Sequence, residues 1–346
     1  IEKLGKKFLA TVTKAAVKNE KRSFSEIIPE KIKNVLIVHQ DRKLGNYILT
    51  TPLISAASKI FNNAIIDIIL PENIKVLADD NPKINTIYSF NHKSFIKNPF
   101  SFFSFLKKIR ISNYDVAIES SNPGSTSYLN GYITYKSKAK FRIGFSYGNG
   151  SLFTNIHVRP DLEKHYYLNQ QQLLSSLLQD ELIFKPEIYV EKSLVENKRK
   201  FIQKNLNLNF ENKLIGIWIG ARHNKKWDIN NFINLYQKIF ANKNYDPILL
   251  FGIEEINDFK NLAESDYNKL YISGLNDLKI TISALDKIIC GDTGPLHLSF
   301  ALGKPTIGIF LQDNYKTYGY AEGVNNFIIT PAKADTMIKE ILQVIS

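Results

Sequence analysis

The sequence is poor in sulfur: among 346 residues there is one cysteine, Cys290, and one methionine. A lone cysteine can form no internal disulfide and cannot build a thiolate metal centre, and such usage fits a cytoplasmic protein. No apolar run approaches the roughly 20 residues that a membrane-spanning helix needs, and no secretory signal pattern opens the sequence. Carboxylates are also in deficit, 33 against 45 lysines and arginines, for a formal net charge of +12. That excess points to an anionic partner, whether phosphates, an anionic membrane face or nucleic acid. Nucleic acid is the weakest of the three, because the cations are dispersed and no stacking or groove-reading motif accompanies them. Short internal repeats and low-complexity blocks are missing as well.

What is present is ample material for globular cores, 44% hydrophobic and 12% aromatic residues. The length exceeds what one core usually organises, so two domains are expected. Residues 1–23 carry Ile1, Leu4, Phe8, Val12 and Ala15 at helical spacing among seven lysines and arginines. They read either as a basic amphipathic helix lying on anionic lipid or as a helix packed on the first domain. Val35 to Val38 then form a buried-type strand, Asp41 to Asn46 a polar loop containing Gly45, and Tyr47 to Phe61 a helix. Further strands are expected in AIIDIILP, INTIYSF and YDVAIES, with a Phe- and Lys-rich helix from Phe95 to Ile111. The segment KAKFRIGF places Lys136, Lys138, Lys140 and Arg142 around another strand. This cluster is either a solvated edge or a site for an anionic acceptor.

After a helical stretch at 163–180, the segment around Pro186 reads as a passage between domains. A polar helix, Leu194 to Asn205, leads to a new strand at Leu214 to Ile219, where the βα alternation begins again. The loop beyond it carries Gly220, Arg222, His223, Lys225 and Lys226, and the next strand ends in a turn with Gly252, Glu254 and Glu255. The stretch LDKIICGDTGPLHLSFALGKPTIGIF follows. It reads as strand, loop, helix, strand, with Asp292, Thr293 and Gly294 ahead of a helix opening at Pro295. Proline suits a first helical turn, where its missing N–H would be unpaired anyway. A helix start of this kind is a good anion site, since free amides and the helix dipole point the same way.

Strands alternating with helices imply a parallel sheet covered on both faces. The expected architecture is α/β, with an N-terminal Rossmann-like domain over 1–185, a C-terminal one over 186–330 and a closing helix within 331–346. In such sheets ligands bind beyond the carboxyl ends of the strands, where every polar loop named above falls. Two such domains facing each other across a cleft would hold a donor nucleotide on one and a second substrate on the other. The C-terminal half combines a helix-start anion site, a loop of cations and an acid able to bond a ribose. That set describes a nucleotide diphosphate bound without an obligatory metal.

Nearly end to end, the sequence resembles glycosyltransferase family 9, the ADP-heptose:lipopolysaccharide heptosyltransferases. The resemblance is carried by VLIVHQDRKLGNYILTTPLISA, YDVAIES, KAKFRIGF, GIWIGARHNKKW, FGIEE and CGDTGPLHLSFALGKPTIGIF. It implies a GT-B fold, inverting transfer from a nucleotide diphosphate sugar, ADP-heptose first among donors, no cofactor, and a lipid-anchored inner-core saccharide as acceptor. It further implies a cytoplasmic protein able to sit peripherally on the inner face of the inner membrane. Residue by residue, Lys225 matches the lysine that meets the donor phosphates, and Asp292, Thr293 and Gly294 match the motif that cradles the diphosphate. His297 matches the histidine one turn on, and Glu254 the acid that contacts the nucleoside. Gly220, Arg222 and Gly252 line the same pocket, Gly45 faces it, and Lys140 and Arg142 are the acceptor-binding candidates.

One position departs from the family pattern. Its first loop carries LGD, whose aspartate is taken as the base for the acceptor hydroxyl, and here that residue is Asn46. An amide cannot accept the proton at neutral pH. Asp41, the first candidate, or His39 could act instead; Asn46 could merely orient the hydroxyl; or activity could be lost, leaving a nucleotide-binding protein. A different donor on the same fold, such as a UDP-hexose, is the alternative substrate.

Overall fold

In the computed structural model, residues 17, 19–90, 98–125, 127–146, 152–178, 182–221, 225–262, 265–312, 315–320, 326–330 and 332–345 are described. The chain divides into two compact units, Ile1–Pro186 and Glu187–Ser346. Each is built on a six-stranded sheet in which all neighbouring strands run parallel.

The N-terminal unit contains β1 (Asn34–Val38), β2 (Ile65–Pro71), β3 (Thr86–Phe90), β4 (Val116–Glu119), β5 (Phe141–Phe145) and β6 (Ile156–Val158). Their spatial order is β3-β2-β1-β4-β5-β6. The C-terminal unit repeats this with β7 (Lys213–Trp218), β8 (Tyr245–Phe251), β9 (Lys269–Tyr271), β10 (Lys287–Gly291), β11 (Thr306–Ile309) and β12 (Asn326–Ile329). Their order, β12-β11-β10-β7-β8-β9, is the same winding. In each unit the chain moves outward one way from the first strand, then returns to lay the fourth against its other side. The resulting switch points, between β1 and β4 and between β7 and β10, open a crevice at the carboxyl ends of those strands.

Central strands are apolar along most of their length because helices cover both faces. Val35, Leu36, Ile37 and Val38 of β1 are wholly buried, as are Ile288, Ile289 and Cys290 of β10. One C-terminal core gathers Ile217, Phe251, Ile289 and Ile309 with Trp227, Phe232 and the apolar side of the helix Ala334–Ile345, through Met337, Ile338 and Ile341. The closing helix therefore packs within the C-terminal unit.

Where one helix was expected over 47–61, two form, Leu44–Ile48 and Thr51–Ile60. Pro52 in the first turn of the second explains the break, since proline starts a helix more readily than it continues one. The helix expected from Phe95 is described from Pro99 to Ile111, with Asn98 accepting the Phe100 N–H at 3.1 Å as its cap. Its first expected residues, and residues 1–16 of the helix expected over 1–23, lie outside the described residues. From Asn19 to Ser23 the chain has no regular structure. No helix among the described residues is long and apolar enough to cross a membrane.

Candidate active site

At the C-terminal switch point, the loop leaving β7 and the turn leaving β10 bring Lys225 to Asp292. The ammonium Nζ lies 2.5 Å from Asp292 Oδ2, with the lysine side chain 34% exposed and the aspartate 8%. A buried carboxylate thus anchors a lysine that still reaches solvent at the strand ends. Beside them, Thr293 caps the helix Gly294–Ala301 by position but makes no side-chain cap bond. Its hydroxyl donates to the Gly291 carbonyl at 3.3 Å instead. The cap residue's own side chain therefore leaves the first amides of this helix unbonded, and Pro295 in the first turn offers no N–H that would need cover.

One turn on, His297 is buried with Nδ1 2.8 Å from the Tyr320 hydroxyl, and Tyr320 stacks on Phe300 at 3.7 Å between ring centres. Burial lowers its pKa to about 4, nearby Asp292 opposing the shift, so at neutral pH the imidazole is uncharged. The two residues after Lys225 are engaged within the C-terminal unit. Trp227 is buried edge-on to Phe232 at 5.0 Å, and Lys226 pairs with Asp258 at 2.9 Å.

At the ends of β7 and β8 the structure separates two adjacent acids, of which the sequence singled out Glu254. Glu254 is exposed, whereas Glu255 is buried and accepts the Gly252 N–H at 3.2 Å. A side chain at Gly220 would begin 2.8 Å from Glu255 Oε2 and 2.7 Å from Trp218 Nε1, and one at Gly252 would begin 3.0 Å from the same carboxylate oxygen. Both glycines are needed because Glu255 and Trp218 fill the space between the two loops. The available signal for Glu255 was its place at the third position of the turn that Gly252 opens. Arg222 lies outside the described residues.

In the N-terminal unit the loop after β1 holds the residues around the missing aspartate. The Asn46 amide donates to Asp41 Oδ2, and Asp41 Oδ1 accepts the Lys43 N–H at 2.9 Å. Gly45 sits between them in the first turn of Leu44–Ile48, its carbonyl accepting the Leu49 N–H at 2.9 Å. His39 is fully buried, with Nδ1 3.1 Å from the Ser120 carbonyl, so that nitrogen carries the proton. Burial lowers its pKa to about 4 against the pull of Asp41, and Nε2 is buried without a hydrogen-bond partner among the described residues. Of the two candidate bases, only half-buried Asp41 is open to a substrate. Sequence reasoning did not single out Glu119, at the end of β4. It is fully buried, and burial raises its pKa to about 7, opposed by hydrogen bonds from Ser121 and Asn130.

A model of glycosyltransferase family 9 (heptosyltransferase) matches residues 102–341. The chain belongs to this family. Lipopolysaccharide heptosyltransferase 1 of Campylobacter coli is 22% identical over 319 residues, covering 84% of this chain and 87% of the relative. The solved family 9 glycosyltransferase of Veillonella parvula superposes with a TM-score of 0.75 at 18% identity, covering 92% of this chain and 90% of that one. An E. coli heptosyltransferase solved with ADP gives 0.69 at 18% identity, covering 90% and 99%. At these identities the structural likeness is one of fold, the GT-B fold of two Rossmann-like units.

In this glycosyltransferase the cations around β5 stand at its amino end, away from the ligand edge. Arg142 donates to the carbonyls of Ala139 at 2.7 Å and Phe153 at 3.2 Å and to Asn19 Oδ1 at 2.6 Å, tying the strand to its neighbours. Lys140 lies over the Phe141 ring at 5.0 Å. Those guanidinium donors are occupied, which leaves little for an anion. At the carboxyl ends of β5 and β6, by contrast, a cavity of 730 Å³ is lined by Ser146, Arg159, Pro160, Asp161, Leu162 and Gln172. Arg159 is exposed there. Among the described residues, no group of three or more His, Cys, Asp or Glu side chains could hold a metal ion.

Proposed function

We propose that this glycosyltransferase moves heptose from ADP-heptose, with inversion, onto the inner core of a lipopolysaccharide or lipooligosaccharide. The observation that carries the reading is the Lys225–Asp292 pair beside the start of the Gly294 helix, at the switch point of the C-terminal sheet. The names of the Campylobacter and E. coli relatives support lipopolysaccharide as the product class and ADP as the leaving group.

In the proposed mechanism the acceptor hydroxyl oxygen attacks the anomeric carbon and the bond from that carbon to the β-phosphate oxygen breaks. The hydroxyl proton passes to Asp41, which Asn46 orients through its amide. The leaving diphosphate carries away the electron pair, and its charge is met by Lys225 and the amides at the helix start. Asp292 holds the lysine in place, Glu254 meets the nucleoside, and His297, uncharged, shapes the pocket behind the phosphates. Gly220 and Gly252 let the loops pass close to Glu255.

A panel of nucleotides tests the donor. ADP is expected to raise the melting temperature and UDP and GDP to raise it little, whereas stabilisation by UDP alone would point to a UDP-hexose donor and overturn the heptose assignment.

For the acceptor, the charge of the saccharide core is assigned to the cavity beyond β5 and β6 rather than to the amino-end cluster. Arg159→Ala is expected to raise the acceptor KM about tenfold or more, the worth of a charge-assisted hydrogen bond, with kcat little changed. Lys140→Ala is expected to leave both constants as they are, and steady-state kinetics with the acceptor varied separates these outcomes. A lipid-anchored acceptor of this kind places the enzyme, as a peripheral protein, on the inner face of the inner membrane.

A further inference from the structure

The helix Pro99–Ile111 has two apolar sides. One closes the N-terminal core: Leu106 and Ile109 are buried there, with Phe102 and Phe105 packed partly under them. Covering a sheet requires nothing more. Yet the opposite side carries Phe100 at 82% exposure, Phe103 at 62% and Ile111 at 66%, three of the large apolar side chains the fold leaves in water. At 100° per residue these three fall on one stripe with Ser104 and Lys107, flanked by Arg110 and Lys108. All four of those polar residues are exposed, and the helix contains no acidic residue.

We infer that this outward stripe docks the protein on an anionic lipid surface. Aromatic rings exposed on a helix beside lysine and arginine, without a carboxylate, are the chemistry of an interfacial helix: rings enter the headgroup boundary while the cations pair with lipid phosphates. Lys107 and Lys108 are long enough to keep their charges at that level while Phe100 and Phe103 go deeper. A second copy of the chain fits this face poorly. A two-fold contact through the stripe would set Lys107 and Arg110 against their own counterparts. The direction of the helix also matters. It follows β3 and precedes β4, so it runs from the carboxyl edge of the sheet to the amino edge, and Phe100 and Phe103 stand at the carboxyl-edge end. That is the edge where the loop with Asp41 emerges from β1. A bilayer held there lies beside the edge that a lipid-anchored molecule would have to approach.

The surface is tested on the full chain with no donor or acceptor present, so the result is independent of the transferase assignment. Co-sedimentation with phosphatidylcholine vesicles containing phosphatidylglycerol is compared with pure phosphatidylcholine, for the wild type and for Phe100→Ser/Phe103→Ser. The wild type is expected to partition onto the anionic vesicles and hardly onto the neutral ones. The double variant is expected to lose about tenfold or more of that partition. Its melting temperature and its donor turnover with a soluble acceptor are expected to stay unchanged, because neither ring is in the core or the site. Three results overturn the inference: undiminished binding by the folded double variant, equal binding to neutral vesicles, or a wild-type dimer in sedimentation velocity that the double variant converts to monomer.

Discussion

Lys225→Ala is expected to lower kcat/KM for the donor about a hundredfold to a thousandfold, the usual consequence of removing one preorganised donor of charge stabilisation. The size follows from where the ammonium stands. It is one-third exposed, free enough to meet a ligand, yet fixed at 2.5 Å by a carboxylate that is itself nearly buried. A diphosphate arriving at the helix start finds a cation already placed, so no reorganisation is needed as charge builds on the leaving oxygen. Lys225→Arg is not expected to restore the loss, because a planar fork cannot take the position of a compact ammonium against Asp292. Asp292→Ala should reduce turnover by a comparable route, releasing the lysine from its anchor. Release of nucleoside diphosphate, followed at saturating acceptor, reads both variants; unchanged rates in both would remove the donor site as drawn.

The second large effect concerns the proton. With Asp41 as base, Asp41→Ala is expected to cut kcat about a hundredfold to ten-thousandfold, while the ADP-induced thermal shift stays the same. Asn46→Asp gives the sharper test. In the native protein the Asn46 amide donates to Asp41. A second carboxylate in hydrogen-bond range would make the pair share a proton, raising one of its two apparent pKa values. The sign is then determined: a base with a raised pKa is protonated, and inactive, up to a higher pH. The acid limb of the kcat profile should move upward in Asn46→Asp, and activity below neutrality should fall relative to the wild type. Transfer persisting at the wild-type rate in Asp41→Ala would rule this base out. His39 offers no substitute, since burial keeps its ring neutral and sequestered at the end of β1.

Much of the fold is legible along the chain because its signals are local. The apolar runs that became β1, β2, β7, β8, β10 and β11 are long enough to announce a strand buried on both faces. The strands that went unread are short, β6 and β9 of three residues each and β12 of four, and unlike the four-residue β11 they are not marked by a glycine turn and helix start ahead of them. The helix Tyr128–Lys136 hid for another reason. Its apolar residues do not gather on one side, and Gly131 is tolerated in it only because Phe153 occupies the space a side chain would take, 2.5 Å from its Cβ position.

The candidate site divides along the same line. Asp292, Thr293, Gly294 and Pro295 lie consecutively in one strand-to-helix turn, so sequence order alone places them together. The Lys225–Asp292 contact spans 67 residues and exists only because β7 and β10, far apart in sequence, are neighbours at the switch point. Lys140 and Arg142 stand close together in sequence, but only the strand direction places them at the amino end of β5.

By itself, then, the sequence determined that this is an α/β protein with a phosphate-type loop in its second half, since strand runs, helix starts and glycine turns are written in neighbouring residues. Only the tertiary structure decided the strand order, the choice of Glu255 over Glu254 as the buried acid, the pairing of Asn46 with Asp41, and which end of each sheet a charge occupies. Those depend on which segments become neighbours in space. Adjacent residues on a strand or helix point to different sides, so burial and partnership are settled by what packs against each side rather than by residue type.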